Sequence, residues 1–245
     1  MPRLADDAIV LRRWEYSETS QTVSVLTHQH GIVRGLAKGA MRPNGAFGGG
    51  FEPMTMGHLG WIHKDDRELS TLTEWQLRDV YWPVRQESAA NRCAIYAVDL
   101  TQRLLTDRDP HPEVFRHLHM MLQRAAEGAT PHTQLAQFQW GLLQAVGWKP
   151  QIHCDAATGA PLPMNEPTLG FRASAGGVVA EPTAGDHRVR TSTLHYLTSI
   201  DQGQPRPVED PATPKRAAAL LAVHIRDLLG EGSMAMTLAF PDLPI

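Results

Sequence analysis

Apolar and polar residues alternate along the first third of the chain, then recur every three to four residues. That change of period predicts strands first and helices afterwards. "AIVLRRW" (Ala8–Trp14) is rich in strand formers, and "QTVSVLT" (Gln21–Thr27) alternates, with Val23 and Val25 on one face. After the turn "HQHG" (His28–Gly31), "IVRGLAKG" (Ile32–Gly39) reads as a third strand. Its alternation puts Arg34, Leu36 and Lys38 on one side and Val33, Gly35 and Ala37 on the other. A glycine-rich loop follows, then a strand pattern over Phe51–His63, a turn at Asp65-Asp66, and a last strand over Glu68–Leu77. Five strands at this spacing suit a small Greek-key barrel, with an SH3-like barrel or a split sheet as the alternative.

The remainder reads as helices. Ala90, Ala94, Ala97, Val98, Thr101, Leu104 and Leu105 mark one face of the first. A second runs from Pro112 to Gly128, a third carries Leu135, Phe138, Leu142 and Val146, and a fourth starts at Thr213, read as its cap. Lys149 to Asp186 is irregular, rich in Pro, Gly and Thr. The expected class is therefore α+β: a barrel over residues 1–82, a helical domain over 83–245, and a loop module at about 149–186.

Composition narrows the function. The 245 residues are 42% hydrophobic with a net charge of −3, enough for a packed core and unlike a protein coated in positive charge. Charge is nonetheless local: from Gly31 to Phe51 the chain carries Arg34, Lys38 and Arg42 and no acid. Two cysteines, Cys93 and Cys154, make no disulfide framework. Together with the absence of a long apolar run or a signal-peptide pattern at the start, this fits the cytoplasm.

No catalytic motif is present. The glycine-rich stretch "GAFGGG" is followed by a strand pattern, whereas a phosphate-cradling loop opens a helix whose N-terminus faces the anion. There is no G-x-x-x-x-G-K-[ST], no G-x-S-x-G and no H-E-x-x-H. His117 and His119 lie on different faces of a helix and are expected to be solvated. Cys93 belongs to a helix core.

The N-terminal segment from Ile9 to about Leu77 resembles the RecO family of bacterial DNA repair and recombination mediators. The resemblance rests on "IVLRRWEYSETS", a "T-x-x-H-G" turn, "GLAKGAMR", "FGGGFEP" and "ELSTLTE", in that order and spacing. It implies an oligonucleotide/oligosaccharide-binding (OB) barrel, binding of single- and double-stranded DNA, strand annealing and help in loading the recombinase RecA. The implied protein partners are RecR and the C-terminal tail of the single-stranded DNA-binding protein; the implied place is the nucleoid. Many members carry a four-cysteine zinc module in the helical domain. Here "QIHCDAATGAPLP" (Gln151–Pro163) and "GGVVAEPTAG" (Gly176–Gly185) resemble its two knuckles. Only Cys154 stands where a ligand is expected; Ala157, Ala180 and Thr183, or close neighbours, occupy the other positions. Without thiolates no zinc, and no other cofactor, is expected.

Binding a single strand requires cations for phosphates and flat groups for bases. Arg34 and Lys38 share a strand face, and Arg42 stands at the mouth of the next loop. Arg12 and Arg13 point to opposite sides of the first strand, so one of them can join. Phe47, inside the loop, is the preferred stacking residue; Tyr16, Trp14 and Phe51 are further aromatics, the last two equally suited to the core. The bland alternative is a solvated basic strand face. Two other functions stay open: an RNA-binding barrel, and a hydrolase whose site is assembled from scattered residues.

Overall fold

The computed structural model describes residues 3–42, 45–63 and 67–243. The Asp65-Asp66 turn lies outside the described residues. Five strands close into a barrel: β1 (Arg3–Ser17), β2 (Ser20–Thr27), β3 (Gly31–Ala37), β4 (Met56–Ile62) and β5 (Ser70–Asp79). Their order is β1-β2-β3-β5-β4, and every pairing is antiparallel except β3 with β5. The expected α+β class, a five-stranded OB-like barrel followed by helices, is what the chain forms.

β1 runs well beyond Ala8–Trp14 because it closes the barrel. Its first half pairs with β4 from Arg3 to Ile9, and its second with β2 from Ala8 to Ser17. The register slips between Val10 and Arg12, leaving Leu11 as a bulge that bends the strand from one partner to the other. Strand alternation sends Ala8, Val10, Val23, Val25, Val33, Ala37, Leu59 and Trp61 into the barrel. Each of the valines and Leu59 contributes on the order of 1.5–3 kcal/mol when fully buried.

The outer face of β1, β2 and β3 is divided. Ile9, Leu26 and Ile32 are cross-strand neighbours, and all three are fully buried. They lie where α2 (Ser88–Leu104) packs on β1 and α3 (Pro112–Ala126) packs on β2. Further along the same strands the face opens, with Arg12 and Trp14 exposed and Thr22 and Leu36 half-buried.

The glycine-rich loop is pinned. Met41 N–H donates to Thr19 O at 3.0 Å, Trp75 N–H to Ala46 O at 3.0 Å, and Phe51 N–H to Gln21 Oε1 at 2.9 Å. Gly49 and Gly50 adopt φ of 100° and 113°, a left-handed backbone that favours glycine. That bend drives Phe47 and Phe51 into the barrel's end, with ring centroids 5.7 Å apart and Phe51 5.1 Å from Trp75.

The sheet gives way to helix between Asp79 and Trp82, where α1 (Trp82–Gln86) begins. The chain clusters into two compact units, Met1–Gly128 and Ala129–Ile245, so α1 to α3 belong to the barrel's unit. Within it, Cys93 is core as expected, and burial pushes its thiol up to about 12. His119 departs from expectation: it is not merely solvated, because its Nδ1 lies 2.7 Å from the Tyr81 hydroxyl.

The second unit holds α4 (Pro131–Ala145), α5 (Thr191–Asp201), α6 (Thr213–Leu229) and α7 (Met234–Ala239). α6 packs on both α4 and α5. Thr213 does not cap α6; it lies inside the first turn, and Asp210 Oδ1 accepts from Ala212 N–H at 2.9 Å. The irregular module contains a small sheet in the order β7-β6-β8: β6 (Thr168–Arg172), β7 (Gly177–Val179) and β8 (His187–Arg190). Asp201 ends α5 as a hub. It accepts from Lys149 Nζ at 2.7 Å and Trp140 Nε1 at 3.1 Å, and pairs with His153 Nε2 at 2.8 Å. Burial alone would raise its carboxyl, but these hydrogen bonds outweigh burial and hold it below the usual carboxylate range.

Candidate nucleic-acid interface

Cross-strand pairing builds the candidate surface from β1, β2 and β3. Arg12 lies beside Ser24 and Ser24 beside Arg34; Trp14 lies beside Thr22 and Thr22 beside Leu36. Residues opposite one another in an antiparallel pair share a face. These rows therefore continue the outer face that begins at Ile9, Leu26 and Ile32. Burial falls off along it: Leu26 and Ser24 are fully buried, Thr22 and Ser20 are half-buried.

The first open row is partly occupied. Ser24 Oγ donates to Gln102 Oε1 of α2. Arg34 Nε lies 3.0 Å from Asp107 Oδ2, in the segment after α2. Arg34 is thus on the predicted face, but its charge is neutralised by a carboxylate from far along the chain. Its side chain stays 41% accessible, which leaves it a secondary cation here.

The next rows are free. Arg12 stacks over Trp14, with its guanidinium carbon 5.0 Å from the ring centroid, a cation–π arrangement that holds both side chains flat. Trp14 is 41% exposed and Tyr16 65% exposed. The core role open to Trp14 is therefore not the one it takes, because the Leu11 bulge sets it on the outer face. Lys38 follows β3 on the predicted side and is exposed, as is Arg42. The Arg42 side chain lies over Gly39, where an added Cβ would come within 3.4 Å of it, and so adjoins Lys38. Neither cation forms an ion pair with a described residue. Met41, 44% exposed, stands between them and the hairpin.

Two expected members are elsewhere. Arg13 points to the other side of β1, where it pairs with Glu52 at 2.8 Å and donates to Phe51 O at 3.4 Å. Of the two adjacent arginines, Arg12 joins the surface. Phe47 is a correction: it is only 5% exposed, a core residue rather than an available stacking ring. The loop that carries it is folded over the barrel's end, so its apolar ring is withdrawn from water. The exposed pair that takes its place is Trp14 and Tyr16: Trp14 owes its outward side to the Leu11 bulge, and Tyr16 falls at a second register shift, between Glu15 and Ser17.

At the hairpin tip lies a notch of about 370 Å³, lined by Glu15, Tyr16, Ser17, Glu18, Ser20, Gln21 and Met41. Its two carboxylates repel phosphates and accept hydrogen bonds from amino groups, such as those on base edges. The surface thus alternates in chemistry: cations at Arg12, Lys38 and Arg42, flat rings at Trp14 and Tyr16, acceptors at the tip. Among the described residues no cluster of His, Cys, Asp or Glu suited to a metal accompanies it.

Comparison with known proteins gives this geometry a family. A model described as "Recombination protein O N terminal" matches residues 1–81, and one described as "Recombination protein O C terminal" matches residues 85–235. The chain belongs to the RecO family. This RecO-family chain is 30% identical to the DNA repair protein RecO of Myxococcus xanthus over 237 residues, covering 94% of each. It is 33% identical to the one from Geobacter sulfurreducens over 173 residues, 71% of this chain and 69% of the relative. Against the one from Methylococcus capsulatus identity is 32% over 197 residues, 80% and 76% of the two. The resemblance first carried by the N-terminal segment extends through the helical part of this RecO-family chain. Its family is one of DNA repair and recombination, and among its described residues no helix is long and apolar enough to cross a membrane.

Proposed function

We propose that this chain binds DNA through the open face of β1, β2 and β3, and works in recombinational repair without chemistry of its own. It anneals complementary strands and helps load RecA onto DNA coated with single-stranded DNA-binding protein. Single- and double-stranded DNA are its ligands, and it acts in the cytoplasm at the nucleoid. RecR and the C-terminal tail of the single-stranded DNA-binding protein are the protein partners that family membership suggests.

The observation that carries the proposal is the exposed set of Arg12 and Trp14 on the outer face of β1, Tyr16 at its end, and Lys38 and Arg42 in the turn after β3. Sequence-tolerant strand binding uses this combination: cations tracking phosphates and rings on which any base stacks. Annealing is served by the same chemistry, because cations lower the repulsion between two strands brought together.

Annealing of complementary oligonucleotides coated with single-stranded DNA-binding protein tests it. The protein is expected to accelerate duplex formation in the absence of any nucleotide, and single-stranded DNA is expected to compete better than RNA of the same sequence. No acceleration over the coated strands alone, or preferential loss of activity to RNA, would contradict the proposal.

A further inference from the structure

The module between α4 and α5 is the place where the family resemblance calls for zinc and the residues do not supply it. Its two halves are nevertheless closed. Cys154 bridges to Pro161 across the first knuckle, and Gln151 pairs with Gly177 at the start of the second. That approach is so tight that a Cβ on Gly177 would lie 2.2 Å from Gln151 O.

Asp155, next to the single cysteine, is 6% exposed and points inward. Its Oδ1 accepts from Ala157 N–H at 2.8 Å and Thr158 N–H at 2.9 Å. Its Oδ2 reaches across to Ala180 N–H at 2.7 Å. Asp186 does the same for the end of the second knuckle. Its Oδ2 accepts from Thr183 N–H at 2.7 Å and Thr183 Oγ1 at 3.0 Å, and Arg172 of β6 grips both of its oxygens at 2.9 and 2.7 Å.

We propose that the carboxylates of Asp155 and Asp186 close this module in place of a metal. They do so by binding the backbone N–H groups at three of the four positions where a cysteine ligand would stand: Ala157, Ala180 and Thr183. A zinc knuckle organises its backbone around thiolate anions bound to a cation. Here the anion is a carboxylate. The backbone N–H groups themselves supply the positive partial charge, and Arg172 supplies the full positive charge at Asp186. The bond from Asp155 Oδ2 to Ala180 N–H joins the two knuckles through a side chain, as a shared metal would, beside the backbone bonds of Gln151 and Ala156 to the second knuckle.

The remaining potential ligands are committed elsewhere. Asp155 already uses both oxygens, and His153 Nε2 faces Asp201 at 2.8 Å. Cys154 by itself does not hold zinc, and among the described residues no group of three or more His, Cys, Asp or Glu side chains is placed to hold a metal ion.

Amide hydrogen exchange on the full-length protein tests this directly. Asp155→Asn keeps the size of the side chain but puts an NH₂ where Oδ2 stood, so the Ala180 N–H loses its acceptor. Exchange at Ala180 is expected to accelerate about tenfold or more, with Ala157 and Thr158 less affected because one oxygen remains. Asp186→Ala removes both oxygens and is expected to do the same at Thr183. Dialysis of the wild type against a strong chelator is expected to leave its unfolding temperature and these exchange rates unchanged, and Cys154→Ser is expected to be equally silent. Unchanged exchange at Ala180 in Asp155→Asn would overturn the proposal. So would about one zinc per chain whose removal lowers the unfolding temperature.

Discussion

Replacing Trp14 and Tyr16 together by alanine is expected to weaken binding of single-stranded DNA about a hundredfold. Stacking of a base on an aromatic ring is worth about 1–3 kcal/mol by alanine substitution. Two rings at the low end of that range, with the loss of the flat Arg12–Trp14 pair, give about 2.7 kcal/mol, or a hundredfold. The barrel itself has little to lose, since both rings stand in solvent and neither is part of the core cluster. Fluorescence anisotropy with a labelled oligonucleotide reads the affinity, and thermal unfolding checks the fold. A change below about threefold would mean that bases do not stack on this face. The simpler alternative of a solvated basic strand face would then hold for the aromatics, whatever the cations do.

Phe47→Ala is expected to have the opposite profile. Phe47 packs against Phe51 at the barrel's end, 5% exposed, and belongs to the core cluster. Truncating a buried phenylalanine costs about 3–5 kcal/mol, through lost transfer energy and the cavity left behind. The loop is tied to β5 at Ala46 and to β2 through Gln21, so it cannot easily collapse into that cavity. Denaturant unfolding should show the loss. Under conditions where the variant is still folded, its DNA affinity should stay within about threefold of wild type, because the ring offers no face to a ligand. Retained stability with weakened binding would restore Phe47 as a stacking residue. The pair of variants separates what a sequence pattern cannot: an aromatic in a glycine-rich loop that contacts a ligand, and one that seals a barrel.

Most of the barrel was legible because alternation is a direct consequence of strand geometry. Arg34, Leu36 and Lys38 on one side of β3, with Val33 and Ala37 on the other, follow from period two alone, and the burial pattern of β3 agrees. What was not legible depended on residues distant in sequence. The neutralisation of Arg34 by Asp107 joins β3 to the segment after α2, with β4, β5, α1 and α2 between them in sequence. The outward face of Trp14 depends on a bulge at Leu11, and nothing local to the hydrophobic pattern marks it. Phe47 is buried because its loop is held by Thr19 in the β1–β2 turn, by Gln21 of β2 and by Trp75 of β5, again a long-range event. In the helical part, α5 went unread: "TSTLHYLTSID" is rich in Thr and Ser, poor helix formers whose placement comes from packing on α6. The strands β6 to β8 are three to five residues long among prolines and glycines, too short for a period to emerge.

For the candidate site, this leaves three cations of the five expected in the open, Arg12, Lys38 and Arg42, and two aromatics in place of one. It also changes which charge reversal is informative. A glutamate at Arg34 would face Asp107 and disturb the packing after α2, so a loss of binding there could come from the fold.

The cleanest measurement is the salt dependence of single-stranded DNA affinity for the wild type and for Lys38→Ala combined with Arg42→Ala. Each phosphate contact on a single strand contributes about 0.7 to the slope of log affinity against log salt concentration. Loss of both cations should therefore shallow the slope by about 1.4, twice that contribution, and weaken binding most at low salt. A slope equal to that of the wild type, with the same affinity throughout the titration, would show that DNA does not lie on this face.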